Sequence, residues 1–258
     1  MSISLDFTNS HPLLEEPKPI SHRLRYIGGV GLPTPKPLSK DLDDMLSLSK
    51  KGNVLFSFGT QIGAEKITDE LKNVFVNTFK RFADFNFFWK FDDDTRVVAF
   101  ISHIGLNSFT ETAFAGVPVV AIPVFSDQVH NARRAHAIGI GEIVRKTEIT
   151  EENLGRALQK VLFEYGHRAK ELSSMITALP DKPQRIFLEG IEFAAKFKNL
   201  SPHYRLAGAK HNFLVQIGWD VAAFFTILLF FTVYLAVKIV VFFLRKCMIR
   251  MQDKNKVE

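Results

Sequence analysis

The chain has 258 residues, 47% of them hydrophobic and 23% charged, enough for one sizeable domain with appendages or two small ones and too apolar for a disordered chain. The formal charge of +6 is modest and partly concentrated in the last residues, which argues against a nucleic-acid-binding surface. A single cysteine, Cys247, excludes an internal disulfide framework and a cysteine-based zinc site.

Residues 1–40 are Pro-rich and irregular, with one short strand and then a linker in "YIGGVGLPTPKP", and no apolar run of secretory-signal type opens the chain. The run "GNVLFSFGT", residues 52–60, reads as a buried strand ending at Gly59. Ile67, Leu71, Val74, Phe75, Phe79 and Phe82 then share one face of a helix, with Thr68 as its cap and Asp69 and Glu70 at its positive end. Two strand-like runs follow, Phe85–Phe91 and Arg96–Ser102, separated by little more than Asp92, Asp93, Asp94 and Thr95. Neighbouring parallel strands need a crossover of about a dozen residues or more. The joint is too short for one, so the two runs either pair as a hairpin or lie apart in a sheet with a gap.

Beyond the joint the alternation is regular: strand Val97–Ile101, helix Ser108–Ala115, strand Val119–Ile122, helix Gln128–Ile138, strand Glu142–Arg145. Gly116 and Gly139 stand where helices should end, and Pro118 blocks continuation of the first helix. Thr150, Glu151 and Glu152 open another helix through Val161, and further helices run to about Lys198. The pattern predicts an α/β domain with a doubly wound parallel sheet over residues 41–200, with no internal repeat.

Residues 201–220 form a juxtamembrane segment, and Val221–Leu244 is apolar except for Lys238. A helix of that length spans about 36 Å, against about 30 Å of hydrocarbon, so 221–244 is read as a transmembrane helix. Lys238 is near enough to its end to snorkel. The basic flank Arg245, Lys246 and Arg250 makes 245–258 a cytosolic tail by the positive-inside rule and sets the globular part in the lumen, a topology at odds with the missing signal sequence. Cys247 reads as a palmitoylation site or as an incidental thiol. The last residues, "KNKVE", resemble a dilysine retrieval signal of the endoplasmic reticulum membrane, and read otherwise as a solvated tail. Asn199-Leu200-Ser201 is a glycosylation acceptor weakened by Pro202.

Chemistry concentrates in "SHIGLNSFTETAFAGVPVVAIPVFSDQ". Gly105 permits a tight turn after a strand, and the helix start beyond it offers amides to an anion such as phosphate, with His103, Asn107 and Ser108 as further donors. Glu111 follows Ser108 by three, and Asp127 with Gln128 tops the next strand, so the clusters should converge at the carboxyl ends of the strands. The same residues fit ligand-free roles: Ser108-x-x-Glu111 as a capping box, Asp127 as a helix cap, His103 as a hydrogen-bonded residue at a strand end.

The spacing His103, Gly105, Asn107, Ser108, Glu111, Asp127 and Gln128 resembles the signature of the UDP-glycosyltransferase family, which includes the glucuronosyltransferases of the endoplasmic reticulum. The likeness extends from "HPLLEEPKPISHRLRYIGGVGL" through "VLFSFGT" to the membrane span and tail. It implies an α/β fold: the Rossmann-like C-terminal domain of a GT-B glycosyltransferase, followed by a single transmembrane helix, with residues 1–40 as linker and remnant of the N-terminal half. It implies that His103, Asn107 and Ser108 contact the donor diphosphate, Glu111 the ribose, and Asp127 and Gln128 the sugar, while Ser57 and Gly59 line the cleft with Gly105 in the turn. The implied reaction is an inverting sugar transfer from a UDP-sugar to a small lipophilic acceptor at the endoplasmic reticulum membrane. It calls for no metal and no cofactor besides the UDP-sugar co-substrate. The implied partners are other family members, as homo- or hetero-oligomers or with this chain as a non-catalytic associate, and no nucleic acid.

Three departures stand out. Ile104 occupies a position where the family usually has a second glycine, and a β-branched residue there restricts the backbone. The family's N-terminal half, with its acceptor pocket and its His–Asp base, is expected to be missing, and none of the eight histidines is assigned as that base. Between Trp89 and His103, only fourteen positions apart, the family's Trp-x-x-Gln element for the uracil and ribose is also missing, as if a strand and helix had been removed from a longer transferase.

Overall fold

The computed structural model describes residues 5–33, 37–59, 67–89, 97–197, 201–204 and 211–254. They divide into two compact units, Met1–Ser201 and Pro202–Glu258.

The first unit opens with two short parallel strands, β1 (Asp6–Thr8) and β2 (Leu24–Tyr26); the single strand expected within residues 26–37 is met only at Tyr26, and the chain beyond it turns at residues 28–31. The intervening chain is part of the core: Leu14 is buried, and Arg134 Nε donates to its carbonyl at 2.9 Å. After α1 (Lys40–Ser47), which the sequence reading did not anticipate, come β3 (Asn53–Ser57), α2 (Asp69–Lys80), β4 (Asn86–Trp89) and β5 (Val97–Ser102). Then α3 (Leu106–Ala115), β6 (Val119–Ala121), α4 (Gln128–Ala137), β7 (Gly141–Ile143), α5 (Glu151–Phe163), α6 (Gly166–Ala178) and α7 (Pro183–Lys196) complete the unit.

Local chemistry sets the boundaries. Thr68 accepts from the Leu71 amide at 3.4 Å and Thr150 from the Asn153 amide at 3.2 Å, each satisfying an orphan donor of the first turn. Gly116, at φ +67°, ends α3 in the left-handed conformation that costs glycine nothing.

β3 to β7 form one parallel sheet in the order β4-β3-β5-β6-β7. Side chains alternate between its faces. Val54, Phe56, Ala99, Ile101 and Val120 pack with Phe75 of α2 and with Leu154, Leu158 and Val161 of α5. Val119 and Ala121, with Phe100, pack instead with Phe109 and Ala113 of α3, Ala132 and Ala135 of α4, and Leu172 and Ile176 of α6. The result is a three-layer α/β sandwich, doubly wound as its alternation predicts.

The strand order decides the question raised by the short joint. β4 and β5 both run parallel to β3 and flank it, Asn53–Phe56 pairing with Asn86–Trp89 on one side and Asn53–Ser57 with Val97–Ser102 on the other. A hairpin would require antiparallel pairing, so that reading falls. The strands do lie apart, but β3 fills the space and there is no gap. The joint itself, residues 90–96, lies outside the described residues. Against the doubly wound order 3-2-1-4-5-6, the order among the described residues is 2-1-4-5-6, without the outermost strand.

A four-residue helix, α8 (Ser201–Tyr204), follows α7. In the second unit, α9 (Phe213–Gln216) precedes α10 (Trp219–Lys254). Its segment Trp219–Lys246, 28 residues that contain the expected 221–244, is long and apolar enough to cross a membrane, and none of its most apolar stretch is buried within the chain. Most of the acceptor Asn199-Leu200-Ser201 and most of "KNKVE" lie outside the described residues.

Candidate functional site

In a doubly wound sheet ligands bind beyond the carboxyl ends of the strands where the order reverses. Here that point lies between β3 and β5, and the loops that leave β3, β5 and β6 carry the residues singled out from the sequence.

At the end of β3, Ser57 Oγ accepts from the Gly59 amide at 3.2 Å, and Gly59 takes φ +73°. A Cβ on Gly59 would stand 2.8 Å from His103 Cε1, and one on Gly105 would stand 2.8 Å from His103 Nε2. Both glycines therefore make room for the same imidazole, a role more definite than lining a cleft. Burial pushes His103 below the ordinary histidine range, against an opposing pull from the Asp127 charge and the Ser57 backbone, so the ring is neutral at pH 7. Among the described residues its buried Nδ1 has no hydrogen-bond partner.

At the end of β5 the chain turns sharply. Ile104 has φ +57°, and it shares this left-handed conformation among the described non-glycine residues only with Ser126, which is in the loop after β6. Such conformations cost about 1–3 kcal/mol for a residue with a side chain and cluster at functional sites. Ile104 is 0% exposed, so core burial offsets the strain, and its amide donates to Ser102 Oγ at 3.0 Å. The family's glycine preference at this position has its physical reason in that φ.

Gly105 then serves as the N-cap of α3, which starts at Leu106, two residues earlier than the sequence pattern suggested, with no side chain capping the helix. Ser108 thus lies inside the first turn, and the capping-box reading falls. The amides of Leu106, Asn107 and Ser108 lack intrahelical acceptors and sit at the positive end of the helix. Asn107 is exposed there, Ser108 is half-buried, and Glu111 stands one turn further on.

In the β6 loop, buried Gln128 accepts with its Oε1 from the amides of Val124 at 2.8 Å and Phe125 at 3.1 Å. Asp127 occupies the N-cap position of α4 without capping it; its Oδ2 accepts instead from Asn131 Nδ2 at 2.9 Å. The same nitrogen donates to the Ile104 carbonyl at 3.1 Å. Sequence reasoning missed Asn131, although its spacing of four from Asp127 on one helix face was the available signal. Among the described residues no group of His, Cys, Asp and Glu is arranged to hold a metal.

Ser57, Gly59, His103 and Gly105 thus come together between β3 and β5, and Asp127 approaches from β6. An uncapped helix start beside a neutral imidazole can bind a diphosphate, and a carboxylate with an amide can take sugar hydroxyls.

The chain matches the family described as UDP-glucoronosyl and UDP-glucosyl transferase over residues 4–98 and 93–255, two pieces that meet at the short joint before β5. It is 29% identical to the human 2-hydroxyacylsphingosine 1-beta-galactosyltransferase over 235 residues, covering 81% of this chain and 43% of that protein. It is 27% identical to human UDP-glucuronosyltransferase 1A4 over 261 residues, covering 92% and 48%. The chain spans about half the length of the curated relatives it matches. Among solved structures it shares its fold with the glycotransferase of kitacinnamycin (TM-score 0.58, 16% identity, 74% of this chain and 54% of that one). It also shares it with LpCGTa in complex with UDP (TM-score 0.52, 16% identity, 66% and 46%).

Proposed function

The chain belongs to the UDP-glucoronosyl and UDP-glucosyl transferase family, and from that premise we propose that it is the donor-binding half of a glucuronosyltransferase-like enzyme that passes a sugar from a UDP-sugar to a small lipophilic acceptor. The reading rests above all on the uncapped start of α3 at the switch point of the sheet, with His103 held beside it by two glycines. In this reading the first-turn amides, Asn107, Ser108 and His103 take the diphosphate. Glu111 holds the ribose, and Asp127 and Gln128 orient the sugar. An acceptor oxygen attacks the anomeric carbon, the bond from that carbon to the UDP oxygen breaks, and UDP leaves with the electron pair as the helix start stabilises its charge. The acceptor proton goes to a base in an N-terminal half, and the sugar inverts.

The reading extends to the second unit: the span Trp219–Lys246 serves as a single-pass anchor in the endoplasmic reticulum membrane with the basic tail in the cytosol. Calorimetry on the full chain in detergent tests the core claim. UDP and UDP-glucuronate or UDP-glucose should bind saturably, and absence of heat from all three overturns it.

The short joint favours a second reading, a non-catalytic chain that associates with full-length transferases. Seven residues connect two strands that flank a third, and the family match breaks at that joint. A missing base-stacking aromatic removes about 1–3 kcal/mol of nucleotide affinity, tens- to hundredfold. Co-purification with a full-length relative, without turnover by this chain alone, distinguishes this role; turnover by the chain alone overturns it.

A further inference from the structure

We infer that Asn131 is a positioning residue that sets the diphosphate loop and the sugar loop in register with one another. The inference rests on the donor-site reading above and adds to it a residue that touches neither ligand.

Asn131 is 4% exposed, on the second turn of α4. An amide nitrogen carries two donors, and this one donates both ways, to the Ile104 carbonyl at 3.1 Å and to Asp127 Oδ2 at 2.9 Å. The first bond fixes the turn between His103 and Gly105 from its carbonyl side, while Ser102 Oγ holds the Ile104 amide at 3.0 Å on the other side. Between them the two bonds hold a β-branched residue at φ +57°, a conformation it would otherwise leave. That φ sets the direction in which α3 starts, and so where the amides of Leu106, Asn107 and Ser108 point. The second bond, with one carboxylate oxygen engaged, fixes the rotation of Asp127 and leaves its other oxygen for a hydroxyl.

One buried nitrogen therefore ties the loop after β5 to the loop after β6. Neither leucine nor aspartate can replace it. Leucine donates nothing, and aspartate sets a carboxylate against the Ile104 carbonyl and the Asp127 carboxylate.

The test compares Asn131→Leu and Asn131→Asp with a matched control, Asn53→Leu, using the full chain in detergent. Asn53 Nδ2 donates to the Leu46 carbonyl at 3.1 Å in the same kind of buried bond, but at the opposite end of β3. Thermal melting reports the structural cost of each change. Calorimetry with UDP and with UDP-glucuronate or UDP-glucose reports the site, at a temperature where the variant is folded. Loss of a hydrogen bond to a charged group corresponds to about tenfold in affinity or more. Both Asn131 variants should lose about tenfold for UDP, and more for the UDP-sugar, so the ratio of the two affinities changes. Asn53→Leu should lower the melting temperature and leave that ratio alone.

If folded Asn131 variants bind both ligands as the unmodified chain does, or lose both in the same proportion as the control, the positioning role is overturned and the donor site stands. If Asn131→Leu does not fold, the near-isosteric Asn131→Asp decides by the same criterion. If the unmodified chain binds neither ligand, the donor-site reading itself fails and takes this inference with it.

Discussion

The two flanks of the sheet are built to different standards. From β5 to β7 each parallel connection contains a full helix, and the loops that carry the site are cross-braced by Ser102, Gln128 and Asn131. On the other flank β4 is an edge strand, and only seven residues separate it in sequence from β5, on the far side of β3. The helix starts differ in the same spirit. α2 and α5 are capped by Thr68 and Thr150, whereas α3, at the switch point, has only glycine at its N-cap. The bracing and the bare helix start occur together, at the proposed donor site.

The largest effect expected from this contrast is on stability. Ile101, 0% exposed at the centre of the sheet, should cost about 2–5 kcal/mol when replaced by alanine. Trp89, at the edge and 36% exposed, should cost about 1 kcal/mol, although it rests on Phe56 at 4.4 Å between ring centres. Chemical denaturation of both variants measures the difference, and equal losses would mean that the β4 flank is as integral to the core as β5.

A smaller effect concerns the ligand. His103→Ala removes the ring that Gly59 and Gly105 accommodate and should weaken UDP binding about ten- to hundredfold, as measured by calorimetry. Thr78→Val, which removes a buried hydroxyl bonded to the Val74 carbonyl within α2, should leave UDP affinity unchanged.

Ile104→Gly separates stability from binding at one position. Relief of left-handed strain returns about 1–2 kcal/mol, but loss of a fully buried side chain costs about 2–5, so stability should fall by up to about 4 kcal/mol. UDP affinity should hold or rise, because glycine adopts the turn unaided. A proportionate fall in both would assign Ile104 a direct part in binding.

The smallest effect is the pH dependence. Burial holds both His103 and His11 below the ordinary histidine range, so the folded chain resists protonation of either. Their contribution is intact above the ordinary histidine pKa and is lost as pH falls from it through the depressed folded value, so the denaturation midpoint should drop as the pH is lowered below about 6.5. His103→Gln should flatten that slope without abolishing it, because His11 remains.

Much of this was legible in the linear chain because it is local. Period-two and helical patterning, Thr68, Thr150, Gly116 and Pro118 put the elements within a residue or two of their observed bounds, and the span near the C-terminus is plain from its apolar length. The motif from His103 to Gln128 carried the family, and its residues follow β5 and β6, with His103 set beside Gly59 at the end of β3. Other features depend on partners far away in sequence. Leu14 is a core residue only because α3, α4 and α6 leave it a place, and β1 is a strand only because β2 lies beside it. Ser108 resembled a cap until the helix was seen to begin at Leu106, where Gly105 and the left-handed Ile104 turn the chain.

The α/β alternation, the long apolar helix and the residue types of the candidate site are all written in spacing and side-chain type along the chain. The tertiary structure alone decided that β3 stands between β4 and β5, that two distant glycines serve one histidine, and that Asn131 joins two loops. The physical reason is that strand order and side-chain contact are set by which surfaces pack, and packing couples residues without regard to their separation along the chain.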